Sequence, residues 1–412
     1  MLSRRQVLRQ LSSLPLIGGM LGGVLTDEAA EAGASHFKYL DDGYHDYFNE
    51  LGLRTIINAK GTYTSLTGSL MPPEVQEAWD YAANHYVELT ALQDKAGRRI
   101  AEIGHSEAAM VTAGAASALT LGTAATITGT DEKKIRKLPN LPGPRPEVII
   151  QKSHRFGYDH SVRNTGIKLV EVEGREELEG AVNENTVMMM FLNKANPDGT
   201  IQDEEFVELG KKHDVPTFND CAADVPPVEN LWEYNEMGFD LVTFSGGKGL
   251  RGPQSAGLLF GREDLIEAAK LQHVPYGNTI GRGMKVNKEE VLAMLVALER
   301  YVNLDHEAQW GRWKSQIETI QSAADSVPGV ETEYYVPDIA NHVPTLRITW
   351  DQDQVQISPA EVQRRLREGH PSIEVNGGSE DISLTTWMMR PEEVQFVGQR
   401  IHDLLDGAMV QS

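Results

Sequence analysis

Short apolar runs alternate with charged amphipathic stretches through the middle of the chain. The apolar runs predict buried strands at 147–151 (EVIIQ), 168–172 (KLVEV), 187–192 (VMMMFL), 215–219 (VPTFN) and 240–245 (DLVTFS). The charged stretches between them, such as REELEGAV and DEEFVELGKKH, predict helices. This alternation is typical of α/β proteins, in which helices cover both faces of a mostly parallel sheet.

The pattern changes near residue 286, where the long helical stretch VNKEEVLAMLVALERYV begins. Shorter segments follow it, among them TLRITW, PAEVQRRLRE and ISLTTW. We therefore predict a large domain over residues 71–285, followed over 286–412 by a bridging helix and a small C-terminal α+β domain. Residues 35–70 contain no clear periodic element and are predicted to form an N-terminal arm.

The first 34 residues have the features of an export signal of the twin-arginine type. SRRQVLR, with Arg4 and Arg5, precedes an apolar stretch at 11–25 that is too short to span a bilayer, and small residues follow near Ala32. We predict export to the periplasm; without a working signal the protein would be cytoplasmic. No other stretch is apolar enough for a membrane span, so no membrane association is predicted after removal of the signal.

Charge and cysteine content narrow the possible partners. Lys and Arg total 38 against 60 acidic residues, and the net charge of −22 would repel a phosphate backbone. We therefore expect no nucleic-acid partner. The single cysteine, Cys221, cannot form an internal disulfide. No metal site is predicted.

One lysine, Lys248, lies in the glycine-rich stretch TFSGGKGLRGPQSAGLLFG between two apolar runs. A solvent-facing loop lysine is the simplest interpretation. The alternative is chemical, because a partly desolvated amine is a nucleophile that forms a Schiff base with an aldehyde.

Three further features favour the chemical interpretation. A small-residue helix start at Gly114, Ala115, Ala116 and Ser117 would bind a phosphate through backbone N–H groups, although such starts also serve close packing. Asp220 follows a predicted strand, where it would keep a ring nitrogen protonated by lying against it or would cap the next helix. His154 also follows a strand, where it would stack on a flat ring or be structural. Together with Lys248, these groups are the requirements of pyridoxal 5′-phosphate.

Five stretches over residues 53–302, among them SHRFGYDHSVR, NDCAADVPP and FSGGKGLRGPQSAGLLFGR, resemble the selenocysteine-synthase-like (SelA-like) family. The family is related to the class V aminotransferases. This resemblance implies the fold-type I architecture, with a sheet of the seven-stranded type, and pyridoxal 5′-phosphate bound by Lys248, Asp220 and His154. It further implies phosphate contacts from the helix start and Ser245, and a ring-hydroxyl contact from Asn193 or Asn196. It also implies a homodimer or a multiple of dimers, with Arg282 serving a neighbouring subunit's site.

The predicted substrate is a small amino compound whose carboxylate needs a cation, and the candidates are Arg251, Arg347 and Arg390. Resemblance to D-glucosaminate-6-phosphate ammonia-lyase members favours a lyase that eliminates ammonia or water from an amino acid or amino sugar acid. An aminotransferase, another transferase or a racemase is the alternative, and a non-catalytic binding protein is a third. Action on a transfer RNA is not expected, because of the charge and the export signal. In addition, Gly247 and Arg251 differ from the SGDKLLGGPQ pattern of the selenocysteine synthases.

Overall fold

A computed structural model describes residues 45–410. The predicted export signal over 1–34 lies outside the described residues. The described residues divide into two compact units, of which the first combines 45–55 with 368–372 and the second combines 56–367 with 373–410. In the first unit, Arg54 donates a hydrogen bond to the Glu368 carbonyl at 3.2 Å. The boundaries predicted at 70 and 285 stay predictions.

The described helices are α1 (Tyr47–Glu50), α2 (Pro73–Ala83), α3 (Leu89–Ile103), α4 (Gly114–Thr128), α5 (Glu132–Ile135), α6 (Asp159–Arg163), α7 (Arg175–Ala181), α8 (Asp203–His213), α9 (Asn230–Met237), α10 (Glu263–Leu271), α11 (Lys288–Val302), α12 (His306–Asp325), α13 (Pro359–Glu368) and α14 (Glu393–Asp406). Within the described range, none of them combines the length and apolarity that crossing a membrane requires.

The described strands are β1 (Ile56–Asn58), β2 (Ala108–Thr112), β3 (Glu147–Gln151), β4 (Lys168–Val172), β5 (Thr186–Leu192), β6 (Thr217–Asp220), β7 (Leu241–Ser245), β8 (Gly257–Gly261), β9 (Val330–Tyr335), β10 (Thr345–Trp350), β11 (Ser372–Glu374), β12 (Asn376–Gly377) and β13 (Asp381–Thr385). The short elements α1 and β1 lie in the segment for which the sequence predicted no periodic structure.

The central sheet has seven strands in the order β2-β8-β7-β6-β5-β3-β4. The pairs from β7 through β6, β5 and β3 to β4 are all parallel, whereas β8 runs antiparallel to both of its neighbours. Parallel strands place their carboxyl ends at one edge of the sheet, so the residues that follow β5, β6 and β7 lie close together. The expectation of a mostly parallel sheet is confirmed.

A second, antiparallel sheet of four strands, in the order β12-β13-β10-β9, is formed by the C-terminal part of the chain. Arg347 on β10 lies directly opposite Glu333 on β9 and Ser383 on β13. Helices α12 and α14 pack against each other beside this sheet. The expected smaller C-terminal α+β part is thus present.

Local sequence explains where the main helices begin and end. Helix α8 has Asp203, Glu204 and Glu205 in its first turn and Lys211, Lys212 and His213 in its last, which complements the helix dipole. Asn287 and Glu290 form a capping box at the start of α11. These two helices match the predicted stretches 203–213 and 286–302 closely, because the charged ends were visible in the sequence.

Helix α4 packs closely against the central sheet through Gly122. A Cβ atom at this position would lie 2.5 Å from the Phe218 ring on β6 and 3.0 Å from Leu241 on β7. Both of those side chains are fully buried, so neither can move away. The glycine therefore fixes the separation between the sheet and the helix whose first turn holds the predicted phosphate contacts.

We expect Gly122→Ala to lower the free energy of unfolding by about 1–3 kcal/mol through overpacking. This loss should exceed the gain in helix propensity of about 1 kcal/mol that alanine brings. The matched control is Gly180→Ala on α7, where a Cβ atom would meet nothing within 4 Å and which should be neutral or stabilising. Urea denaturation measures both; a Gly122→Ala protein at least as stable as the wild type would contradict this packing account.

Candidate active site

A cavity of about 850 Å³ lies at the edge of the central sheet where β5, β6 and β7 end. Residues at or beyond the ends of these strands line it, including Lys194, Asp220, Asp224 and Lys248. Residues 60–64, which follow β1, form a second part of the lining. A third part comes from the C-terminal sheet and the residues beside it, including Arg347, Asp381, Thr385 and Trp387.

Lys248 is held on a tightly packed turn after β7. Cβ atoms at Gly246, Gly247 and Gly249 would lie 2.2, 2.4 and 2.1 Å from Met294, Gln254 and Val225, respectively. None of these three glycines has a positive φ, so they are needed for close packing rather than for an unusual backbone conformation. Hydrogen bonds reinforce the turn, since the Arg251 N–H donates to the Lys248 carbonyl at 3.0 Å. The turn therefore fixes the amine at the cavity.

The Lys248 amine and the Asp220 carboxyl influence each other electrostatically inside the cavity. Burial lowers the pKa of Lys248, while the negative charges of Asp220 and Asp224 act in the opposite direction. Asp220 ends β6, accepts a hydrogen bond from the Ala222 N–H at 3.1 Å, and is buried, which raises its pKa to about 6. A lysine with a lowered pKa beside a buried acid fits the predicted roles of these two residues.

Asp224 is a second buried carboxyl in this cavity, and the sequence analysis missed it. It is 2% exposed, burial raises its pKa to about 7, and its Oδ2 atom has no hydrogen-bond partner among the described residues. The available signal was a second acid, four residues after Asp220, among the small and apolar residues of NDCAADVPP. Such a carboxyl can hold a proton near neutral pH.

The predicted phosphate contacts lie at the first turn of α4, next to β8. A Cβ atom at Gly257 would lie 2.5 Å from the Gly114 carbonyl carbon, so only glycine allows this approach. The Ser117 Oγ atom is buried without a hydrogen-bond partner among the described residues, whereas Ala116 is exposed. Gly114, Ala115, Ala116 and Ser117 do not line the cavity of Lys248. The helix start is nevertheless linked to it, because Ala256, beside Gly257, accepts a hydrogen bond from the Gly246 N–H at 2.8 Å.

The position of His154 does not support the predicted stacking role. Its side chain is fully buried and packs edge-on against Phe191, with the two ring centroids 4.4 Å apart. Its Nδ1 atom accepts a hydrogen bond from the Leu192 N–H at 3.1 Å. Burial lowers its pKa to about 4, which keeps the ring neutral. It does not line the cavity, but the rings of Phe156 and Tyr158, two and four residues further on, do.

Asn193, Asn196 and Ser245 are also absent from the cavity lining. Asn193 donates a hydrogen bond to the Tyr234 hydroxyl at 2.7 Å and accepts one from Asn219, so its amide is engaged in the core. The Oδ1 atom of Asn196 is buried without a partner among the described residues. The Ser245 N–H donates to the Ala222 carbonyl at 3.3 Å, which links the ends of β6 and β7.

Of the four arginines predicted at the site, only Arg347 lines the cavity. Its guanidinium lies 2.6 Å from Glu333 and 3.2 Å from Asp381, so its charge is already compensated. Arg282, on the 3₁₀ turn Ile280–Gly283, and Arg390 are exposed and lie elsewhere. The expectation that an arginine binds a substrate carboxylate here therefore lacks support from the geometry.

Arg251, which stands where the selenocysteine synthase pattern has glycine, is engaged within the protein. Its φ is 56°, a conformation that favours glycine, and its guanidinium donates to the main-chain carbonyl of Trp387. Burial lowers its pKa to about 10. The hydrogen bond joins the turn that holds Lys248 to the cavity wall that holds Trp387.

The chemistry of these residues, together with the unpartnered Ser117 Oγ atom, fits the binding of pyridoxal 5′-phosphate. Lys248 would bind the aldehyde carbon, the buried Asp220 would pair with the ring nitrogen, and the first turn of α4 would bind the phosphate. The unpartnered Ser117 hydroxyl is a donor of the kind that a phosphate oxygen needs. When bound, this coenzyme supplies an electron sink that weakens the bonds at the Cα atom of an amine substrate.

The buried Asp224 predicts a pH dependence of stability in protein freed of coenzyme. A raised pKa favours the protonated carboxyl in the folded state. Its contribution to the free energy of unfolding is therefore full below the ordinary pKa of 3.8 and is lost as the pH rises towards about 7. Asp224→Asn removes that loss and should raise the thermal midpoint at pH 8 while changing it little at pH 4. A decrease at pH 8, or equal shifts at both values, would show that no such penalty exists.

Comparisons with known proteins identify the family of the chain. The sequence matches the SelA family, L-seryl-tRNA selenium transferase, over residues 56–322. It is 28% identical over 337 residues to the D-glucosaminate-6-phosphate ammonia lyase of Salmonella typhimurium, covering 79% of this chain and 88% of the relative. It is also 28% identical over 340 residues to the 5′-C-glycyluridine monooxygenase-decarboxylase of a Streptomyces species, covering 79% of this chain and 83% of that protein.

A solved structure of D-glucosaminate-6-phosphate ammonia-lyase superposes with a TM-score of 0.78 at 25% identity, covering 88% of this chain and 99% of that chain. The family match spans more than half of the chain and includes the turn with Lys248, the end of β6 and the start of α4. The chain therefore belongs to the SelA family, and it is a pyridoxal 5′-phosphate-dependent enzyme of fold type I.

Proposed function

We propose that this enzyme is a lyase that eliminates water or ammonia from a small amino acid or amino sugar acid. The observation that carries the proposal is Asp224, a carboxyl that can hold a proton near pH 7 in the same cavity as Lys248. Elimination needs a base for the Cα proton and an acid for the leaving group, and each works best when its pKa lies near the working pH. The similarity to an ammonia lyase over most of the chain supports the same reaction class.

The two groups divide the proton transfers between them. The Nζ atom of Lys248 accepts the proton from the substrate Cα atom, and its lowered pKa makes the neutral amine available. The carboxyl of Asp224 donates its proton to the departing hydroxyl or amino group. Asp220 would pair with the ring nitrogen of the bound coenzyme and favour its protonated form. Hydrolysis of the unsaturated amine that remains yields a keto acid and ammonia.

A reaction on a charged transfer RNA is not part of this proposal. The net charge of −22 opposes binding of a polyanion, and an exported protein would not meet aminoacylated transfer RNA. We propose that the chain acts on a free small molecule, as a homodimer or a multiple of dimers.

Activity assays separate the lyase from its alternatives. The purified protein should show the visible absorbance of lysine-bound coenzyme, and Lys248→Ala should abolish both this absorbance and turnover. Asp224→Asn should keep the absorbance but lower kcat by a factor of about 10²–10⁴, as expected for loss of a general acid. The exposed Asp353→Asn is the matched control.

The readouts are ammonia and keto-acid release, measured across a panel of amino acids and amino sugar acids. Release without an added amino acceptor supports the lyase. Turnover only with an acceptor would identify an aminotransferase, and loss of optical activity alone would identify a racemase. A protein without the absorbance would contradict the proposal altogether.

We further propose export through the twin-arginine route, which the Arg4–Arg5 pair and the apolar stretch at 11–25 support. In a host with that route, a double Arg4→Lys and Arg5→Lys variant should accumulate in the cytoplasmic fraction, while the parent protein reaches the periplasm folded. An identical distribution of the two proteins would refute this proposal.

A further inference from the structure

Lys60 is a cation in the cavity that the sequence analysis did not consider. It follows β1 and lines the cavity, and its ammonium lies 5.4 Å from the centre of the Tyr63 ring. It forms no ion pair with any carboxylate in the range 45–410. Lys60 thus differs from Arg347, the cavity cation whose charge two acids already compensate.

The backbone around Lys60 is fixed by side-chain hydrogen bonds. The Oδ1 atom of Asn58 accepts from the N–H groups of Lys60 at 3.1 Å and Gly61 at 3.0 Å, and its amide donates to the Gly61 carbonyl. Asn376 donates to the Lys60 carbonyl at 2.8 Å from the C-terminal sheet. The lysine therefore extends from a pre-organised turn rather than from a loose loop.

Two buried polar groups beside this turn lack partners. The indole N–H of Trp387 and the hydroxyl of Thr385 are unpaired among the described residues, and the two side chains are 3% and 7% exposed. Both residues line the cavity. Gly61 adjoins the indole, since a Cβ atom there would be in van der Waals contact with Trp387 Nε1 at 3.5 Å. Buried donors without partners are rare in folded proteins, so these two call for a ligand acceptor.

We propose that Lys60, Thr385 and Trp387 form a subsite that binds an oxyanion of the substrate, its carboxylate or a terminal phosphate. Lysine and indole are donors only, and the threonine hydroxyl can donate as well, so the set is complementary to an oxyanion. This inference rests on the proposed function, because the anion belongs to the molecule whose amine reacts at Lys248.

Arg251 connects this subsite to the reacting amine. Its guanidinium donates to the Trp387 carbonyl, while its own N–H donates to the Lys248 carbonyl at 3.0 Å. One residue thus fixes the position of the indole relative to the lysine turn. The site thereby favours substrates in which the amine and the anionic group are separated by the matching distance. Arg251 acts as a positioning residue.

The test compares matched ligands on the coenzyme-loaded enzyme, with dissociation constants read from the change in visible absorbance. The ratio of the dissociation constants of alanine and alaninamide measures the contribution of the carboxylate. The ratio for O-phosphoserine and serine measures the contribution of a terminal phosphate. Both enantiomers of each ligand are used. The variants are Lys60→Met, Trp387→Phe and Thr385→Val, which keep side-chain size while removing charge or donor. The controls are Lys133→Met, on the exposed face of α5, and Trp310→Phe, outside the cavity lining.

We expect Lys60→Met and Trp387→Phe each to weaken binding of the anionic ligand by about tenfold or more, as loss of a hydrogen bond to a charged group does. Binding of the matched ligand that lacks the recognised anion, alaninamide for the carboxylate or serine for the phosphate, should not change, and neither should the coenzyme absorbance. Loss of the alanine preference assigns the subsite to the carboxylate, and loss of the O-phosphoserine preference assigns it to the phosphate.

The subsite is refuted if the wild-type enzyme prefers neither anionic ligand, or if both preferences survive in the variants. Failure of the proposed function looks different, because the wild-type protein would then lack the coenzyme absorbance or release no keto acid from any substrate. Each variant is measured by the absorbance of its own bound coenzyme, so a misfolded variant is recognised because it lacks this absorbance. The other two variants then decide the result.

Discussion

The burial of a single lysine amine on a turn without room for side chains is the constraint on which the site depends. The neighbours of Gly246, Gly247 and Gly249 leave no space for a Cβ atom. This close packing fixes the backbone of the turn and therefore the position of the Lys248 Cα atom. Burial lowers the pKa of that lysine, and the carboxylates of Asp220 and Asp224 oppose the effect. A nucleophilic amine is thus maintained beside acids that are themselves only weakly acidic.

Much of the fold could be predicted because the strands of the central sheet appear as short, largely apolar runs. The predicted strands at 147–151 and 168–172 coincide with β3 and β4, and the carboxyl ends of β6 and β7 bring Asp220 and Lys248 to one cavity. The two residues could be paired from sequence because each lies at or just beyond the carboxyl end of a strand of the same sheet.

The remaining features depend on tertiary packing that no local pattern encodes. His154 and Phe156 both follow β3, yet the first turns into the core and the second lines the cavity. Arg347 was predicted as a possible ligand of the substrate carboxylate, but in the folded chain it pairs with Glu333, which lies opposite it on the neighbouring strand. That pairing depends on strand register, which is not visible in a single sequence. Lys60 comes from a segment without periodicity, so only the folded chain shows that it belongs to the site.

The central claim is that the coenzyme is joined to Lys248. Borohydride reduction of the purified holoenzyme, followed by proteolysis and mass spectrometry, would locate the attached pyridoxyl group directly. Our account predicts a single modified peptide in which Lys248 carries the group. A group attached to Lys60, Lys194 or any other lysine, or no modified peptide from protein that contains the coenzyme, would contradict it.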